Sequence, residues 1–266
     1  MDTPLAELTE LVAADGILVL RLMPIWGHTA ETVVDDVIRD YLNVFRTVRL
    51  RGTTIKKAGL APHAVLLLQP LALLAIPTSH EAYLNFVGAK TRNMIRKAER
   101  SGYEFREFVW NDHLDEIFEI NTSKQMRSSG EMHGWYTEPV KPRDHGIGGE
   151  YYKYYGVFKD GCLRGYLHIV AAGELAFFRH FIGHAQHLTN GIMNGLLSWA
   201  VQEYVGKAPV RWFGYGSFHE RSSAASVYSF KKHAGFTGYA VCFDLGDDQS
   251  LMECAHRVRL PSTWCV

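Results

Sequence analysis

Arg92, Arg96 and Arg100 recur at i, i+4 and i+8 and project from one helix face, with Lys97 beside them. Such a face can hold phosphates, as on a nucleotide-linked acceptor, CoA or tRNA; a charge run of this kind also serves simply as a solvated helix face. His180 and His184 share one strand face at even spacing, and His187 follows in the turn. A metal needs three convergent ligands and a neutral, hydrogen-bonded histidine is the commoner state, so no metal is expected. His180 has the chemistry of a general base for an amine nucleophile; Glu174 has it too, but reads as part of a turn. Asn121, Ser123, Arg127, Glu131, Met132 and Tyr136 supply polar and aromatic side chains in or beside a long loop, which suits ligand gripping. Gly214-Tyr215-Gly216-Ser217 lacks the central serine of a nucleophile elbow, and no P-loop, G-x-G-x-x-G or HExxH occurs.

The elements that must position these groups follow from periodicity. Ile17–Leu22 reads as a short apolar strand and Ala30–Phe45 as an amphipathic helix, while Ala64–Leu74 reads as one buried strand. Ser79 and Glu81 predict a capped helix start, and that helix or a following one covers Lys90–Ser101 and stops at Gly102. Tyr103–Val109 alternates as a strand and His113–Ser123 is helical. Ser128–Gly149, rich in Gly, Pro and charge, predicts a long loop with short helical pieces. Tyr154–Lys159, Leu163–Ala171 and Leu175–His184, joined at Asp160-Gly161 and Ala172-Gly173, predict an antiparallel meander. Helix Asn190–Tyr204, strand Val210–Tyr215, helix Ser223–His233 and strand Phe236–Asp244 follow. Gly235 is where an αL residue would close the helix, with Phe236 folding back on Val227 and Phe230. This order is α/β: a mixed sheet with helices on both faces.

Composition narrows the class. Hydrophobic residues make up 47% of the 266 positions, ample for a packed core. Lys+Arg and Asp+Glu are both 28, a balance that argues against broad coating of nucleic acid or anionic membrane while leaving room for a local basic patch. Cys162, Cys242, Cys254 and Cys265 show no CxxC pairing, as in a reduced cytoplasmic protein with free thiols. Asp2, Glu7 and Glu10 do not resemble a signal peptide. The longest apolar run, Ala64–Ile76, is interrupted by Gln69 and Pro70 and is too short to span a bilayer. A cytoplasmic location, no membrane contact and a monomer or homodimer are expected.

From Tyr103 to Asp244 the order of elements resembles the GNAT superfamily of N-acyltransferases. Three patterns resemble its FemX/FemAB-like branch, whose members carry aminoacyl or acyl groups to amines. They are the basic helix from Lys90 to Gly102, the helix Leu196 to Val201 leading to Trp212-Phe213-Gly214-Tyr215-Gly216, and the ending Ser229-Phe230-Lys231-Lys232-His233-Ala234-Gly235-Phe236. The resemblance implies an α/β fold: a GNAT-like mixed, mostly antiparallel sheet flanked by helices, with an N-terminal βαβ extension. Residues 1–80 would be an extension or partial domain, 81–245 the acyltransferase domain and 246–266 a tail.

The implied activity is transfer of an acyl group, from acyl-CoA as co-substrate, to a small-molecule amine by direct attack. The pyrophosphate loop would be Gln186, Thr189, Asn190, Gly191 and Ile192, in the place of the family's Q/R-x-x-G-x-G/A. Thr189 stands where the pattern has its first Gly, and its Cβ obstructs close phosphate approach, which keeps aminoacyl-tRNA as the alternative donor. Lys231 stands where many members place a general-acid Tyr. The implied catalytic set is Lys231, His180 and Tyr228, and the implied substrate-binding set is Arg92, Arg96, Arg127 and Tyr136. A module of this fold without catalysis, binding a ligand or partner, is the reading from another class.

Overall fold

The computed structural model describes residues 17–21, 47–49, 64–67, 70–124, 126–127, 130–131, 134–143, 152–218 and 225–244. Strands Ile17–Arg21 (β1), Thr47–Arg49 (β2), Ala64–Leu67 (β3) and Leu71–Ala75 (β4) precede helices His80–Phe86 (α1) and Ala89–Arg100 (α2). Strand Glu104–Glu107 (β5), helix Leu114–Thr122 (α3), the hairpin Met126–Arg127 (β6) with Gly130–Glu131 (β7), and the helical turn Gly134–Thr137 (α4) come next. The meander is Tyr152–Lys159 (β8), Cys162–Ala172 (β9) and Leu175–Gly183 (β10). Helix Ile192–Tyr204 (α5), strand Trp212–Ser217 (β11), helix Ala225–His233 (α6) and strand Thr237–Asp244 (β12) complete the order.

Seven strands form the main sheet in the order β12-β4-β11-β10-β9-β8-β5. Each neighbouring pair is antiparallel except β10 and β11, which run parallel. Beyond Tyr239, β12 leaves this sheet and pairs in parallel with β1 and antiparallel with β3, which in turn pairs with β2. The single strand expected over 64–74 is therefore two. Pro70 lies between them, has no N–H for a ladder and instead accepts from the Phe218 amide through its carbonyl (2.8 Å). Leu71–Leu74, placed between β11 and β12, are buried. Residues ahead of position 81 thus complete the centre of the sheet. The helix expected over 30–45 and the tail 246–266 lie outside the described residues.

Alternation along the strands makes two apolar layers. Trp110, Ile117, Ile120, Tyr154, Phe158, Tyr166 and Phe177 fill the face that carries α3. Tyr83, Ala98, Leu196, Leu197, Val201, Phe213 and Phe236 fill the face that carries α1, α2 and α5. Ser79 caps α1 as expected, its Oγ accepting from the Ala82 amide (3.0 Å). The predicted left-handed, hydrogen-bonded end of α6 forms, while Phe236 goes elsewhere than the expected Val227 and Phe230. Gly235 takes φ +94°, its amide donates to Lys232 O, and the Phe236 amide donates to Lys231 O (2.9 Å). Tyr83 Oη and Thr91 Oγ1 donate to the remaining carbonyls of Ala234 and His233, tying α6 to α1 and α2. Phe236 turns into the sheet against Phe178 and Tyr215.

Candidate active site

Strands β10 and β11 pair only at Leu175↔Trp212, Ala176↔Phe213 and Phe177↔Gly214. Past Phe177, β10 follows β9 while β11 follows β4. Where parallel strands part in this way, polar backbone edges face an opening in mid-sheet. At the same place β10 bulges: its register with β9 shifts between Phe178 and His180. Strict alternation would put Arg179 on the Phe177 face. The extra residue gives that face to His180 and Ile182 instead, and sends Phe181 to the side of Phe178.

Lys231 approaches from the α6 side. Its side chain is buried, at 4% exposure. Nζ donates to the Ser217 carbonyl at 2.7 Å, at the end of β11, and lies 4.6 Å from the centre of the Tyr215 ring. Loss of hydration lowers its pKa to about 8. Tyr215 in turn packs on Phe178, Phe181 and Phe236, with Phe230 against Phe181, and burial pushes the Tyr215 hydroxyl up to about 12.

On the opposite face of the sheet, His180 joins a buried polar cluster. Its Nδ1 is 3.1 Å from Tyr136 Oη, and Arg143 Nη2 donates towards its Nε2 at 3.4 Å. Arg143 Nη1 donates to His168 Nδ1 at 3.0 Å, and the guanidinium stacks 3.9 Å over Trp110. Arginine only donates, so His180 Nε2 and His168 Nδ1 are the unprotonated nitrogens, and His180 Nδ1–H donates to Tyr136. Burial first, then Arg143 and Arg179, hold the His180 pKa well below the usual histidine value. With its lone pair turned to Arg143, the ring orients Tyr136 and is not arranged to accept a proton from an amine. His180 and Lys231 therefore meet the opening from opposite faces.

The segment 184–191 is knitted into the fold. Residues Ala185–Asn190 take a 3-10 turn, which delays the start of α5 to Ile192, and Gly191 caps that helix at φ +77°. The amides of His184, Ala185, Gln186, His187 and Gly191 donate to Arg164 O, Ser123 Oγ, His184 Nδ1, His184 O and Leu188 O. Lys97 Nζ donates to Thr189 O (2.8 Å), and Asn190 donates to Tyr103 Oη (3.0 Å), which also meets His187 Nδ1. Gly191 lies so close to the Met94 carbonyl that a Cβ would collide with it. Gln186 and Thr189 are exposed, and the Ile192 side chain is fully buried in the core.

No protein-family profile matches the chain, and no curated protein does. Among solved structures the chain is similar to FemX: TM-score 0.51 and 9% identity, over 84% of this chain and 78% of that one. It is also similar to the C-terminal domain of a putative lysylphosphatidylglycerol synthetase from Agrobacterium fabrum, with TM-score 0.41 and 14% identity over 90% and 81% of the two chains. A GCN5-related N-acetyltransferase from Kribbella flavida gives 0.37 and 9% over 84% and 76%. The chain has a FemX-like fold.

Within this fold the other expected residues scatter. Arg92 donates to the Leu84 and Val87 carbonyls and so closes the end of α1. Arg96 is exposed, and its carbonyl accepts from Arg100 Nε. Tyr228 packs on Phe218, ring centres 5.0 Å apart. Arg127 lies in β6, and its side chain is outside the described residues. Tyr136 does reach the His180 cluster. Sequence reading missed Arg143, His168, Trp110 and Tyr154. The even spacing of Tyr154 with the buried β8 positions, and of His168 with those of β9, was the available signal; nothing local marked Arg143. Among the described residues, no group of three or more His, Cys, Asp or Glu converges as a metal site, and no helix is long and apolar enough to cross a membrane.

Proposed function

We propose that this chain is an N-acyltransferase that moves an acyl group from an activated ester or thioester to a small-molecule amine in the opening between β10 and β11. The buried Lys231 ammonium at that opening carries the reading. The deprotonated amine attacks the acyl carbon, the C–N bond forms, and the carbonyl electron pair moves to oxygen. Lys231, with a β10 backbone N–H, stabilises that oxyanion in a site of low polarity, where a fixed charge acts most strongly. Collapse of the tetrahedral intermediate breaks the C–S or C–O bond and expels the donor as thiolate or alkoxide. With its pKa near 8, Lys231 is also poised to hand a proton to that leaving group; the attacking nitrogen sheds its extra proton to solvent, and Lys231 regains one from solvent. No covalent enzyme intermediate is required. His180 and Tyr136 line the acceptor side, while Tyr228, packed on Phe218, is given no part in the transfer.

Two donors fit this chemistry. The superfamily resemblance supports acyl-CoA, with its pyrophosphate near Gln186, Thr189 and Asn190 at the start of α5. The engaged amides of 184–187 and 191 and the tight Gly191–Met94 contact favour the second donor, an aminoacyl-tRNA ester, because they leave less bare backbone for a pyrophosphate. The exposed Arg96 would then face the tRNA backbone. Calorimetric titration with acetyl-CoA and with charged tRNA, followed by transfer assays on an amine panel, separates the two. Micromolar acetyl-CoA binding supports the first. Binding of charged tRNA alone supports the second. No transfer from either donor removes the enzyme reading and leaves a binding module.

A further inference from the structure

Arg143 is a half-buried cation held by neutral groups. Its guanidinium is fixed by two imidazoles, His168 at 3.0 Å and His180 at 3.4 Å, lies against the Tyr154 hydroxyl, and stacks on Trp110 at 3.9 Å. Its backbone is clamped at both ends by one side chain: the Arg143 amide donates to Asn111 Oδ1 (2.9 Å) and Asn111 Nδ2 donates to the Arg143 carbonyl (3.0 Å). Among the described residues Arg143 has no carboxylate partner. Partial burial of a charge costs free energy unless an opposite charge compensates it. A guanidinium carries five N–H donors in a rigid fork, and the two imidazoles take two of them. The remainder is a planar, single-charge anion receptor, fixed in advance of binding. Tyr166 packs on Trp110, Tyr136 on His180 and Tyr152 on His168, so the cluster is aromatic on several sides, and Arg179 adds a second cation at the bulge.

We propose that this cluster binds a carboxylate on the acceptor, so that the amine acylated belongs to an amino acid or a peptide. The proposal rests on the acyltransfer reading for the fate of the amine, not for the binding itself. His180 links the receptor to the opening. It lies at the point where β10 parts from β11, so a carboxylate on Arg143 sets its neighbouring amine at the face of the opening opposite Lys231.

The test is binding without any donor. Protein carrying 15N-labelled histidine is titrated with an amino-acid panel and with the matching carboxamides, and the His168 and His180 imidazole resonances are followed. At least one carboxylate is expected to shift both resonances and saturate, with its carboxamide at least about tenfold weaker, the difference made by one charge-assisted pair. Arg143→Gln should erase that preference, and Arg143→Lys should keep part of it. Equal binding of carboxylate and carboxamide, or no saturable binding of either, overturns the proposal on the unmodified protein alone, whether or not the variants fold. Carboxylate binding without transfer from any donor would sink the enzyme reading and leave this site standing. Transfer to amines with no preference for a carboxylate would do the reverse.

Discussion

At the scale of single residues, Lys231 combines a cost with the use proposed for it. Its pKa of about 8 lies below the unfolded value of 10.5. Below pH 8 both states are protonated, so the burial penalty is fully present there. It is relieved as pH rises from about 8 to 10.5, where the unfolded chain holds the extra proton. Lys231→Met should therefore raise stability at pH 7 by about 1–3 kcal/mol in urea unfolding, while lowering acyl transfer by about a hundredfold or more. The same shift predicts that the transfer rate falls as pH rises through about 8, because the cation is the working form. In Lys231→Arg any residual activity should lose that alkaline decline, since a guanidinium stays charged. A pH-rate profile on both proteins checks the point.

Among the elements, the C-terminal turn of α6 was legible because the two backbone hydrogen bonds that close it are local. Lys231, Lys232, Gly235 and Phe236 lie within six positions, and a Gly at positive φ is what the motif requires. The start of α5 was not. Gly191 is forced into the left-handed region with the Met94 carbonyl against it, and Met94 belongs to α2, almost a hundred positions earlier. Gly191→Ala should cost about 2 kcal/mol or more in denaturant unfolding. Gly206→Ala has the same positive φ (+74°) but open space around it, and should cost about 1 kcal/mol. Equal losses at the two sites would refute the packing account. At the other end of the same layer, Ser79→Ala should cost about 1 kcal/mol by removing the α1 cap.

For the whole molecule, the central place of β4 is the main consequence of topology. Leu71–Ala75 pairs with β11 on one side and β12 on the other. A chain beginning at residue 81 would leave both strands with bare edges and uncover Phe213 and Phe236 beside them. It is expected to be insoluble or to lose cooperative unfolding, as sedimentation and thermal melts would show. In the full chain, Leu73→Ala should cost about 2–5 kcal/mol, the usual result of emptying a buried leucine site.

The sequence by itself determined what depends on neighbours in the chain: the amphipathic α2, the meander with its Asp-Gly turn, and the hydrogen-bonded ending of α6. Period and turn chemistry act over a few residues, so they survive without the rest of the fold. Only the tertiary structure decided what those residues face. One bulged residue at Arg179 moved His180 to the side opposite Lys231, because each strand residue added inverts every side chain after it. The same fold brought Arg143 from a loop to two histidines 25 and 37 positions away, a long-range contact that no local pattern in this chain records.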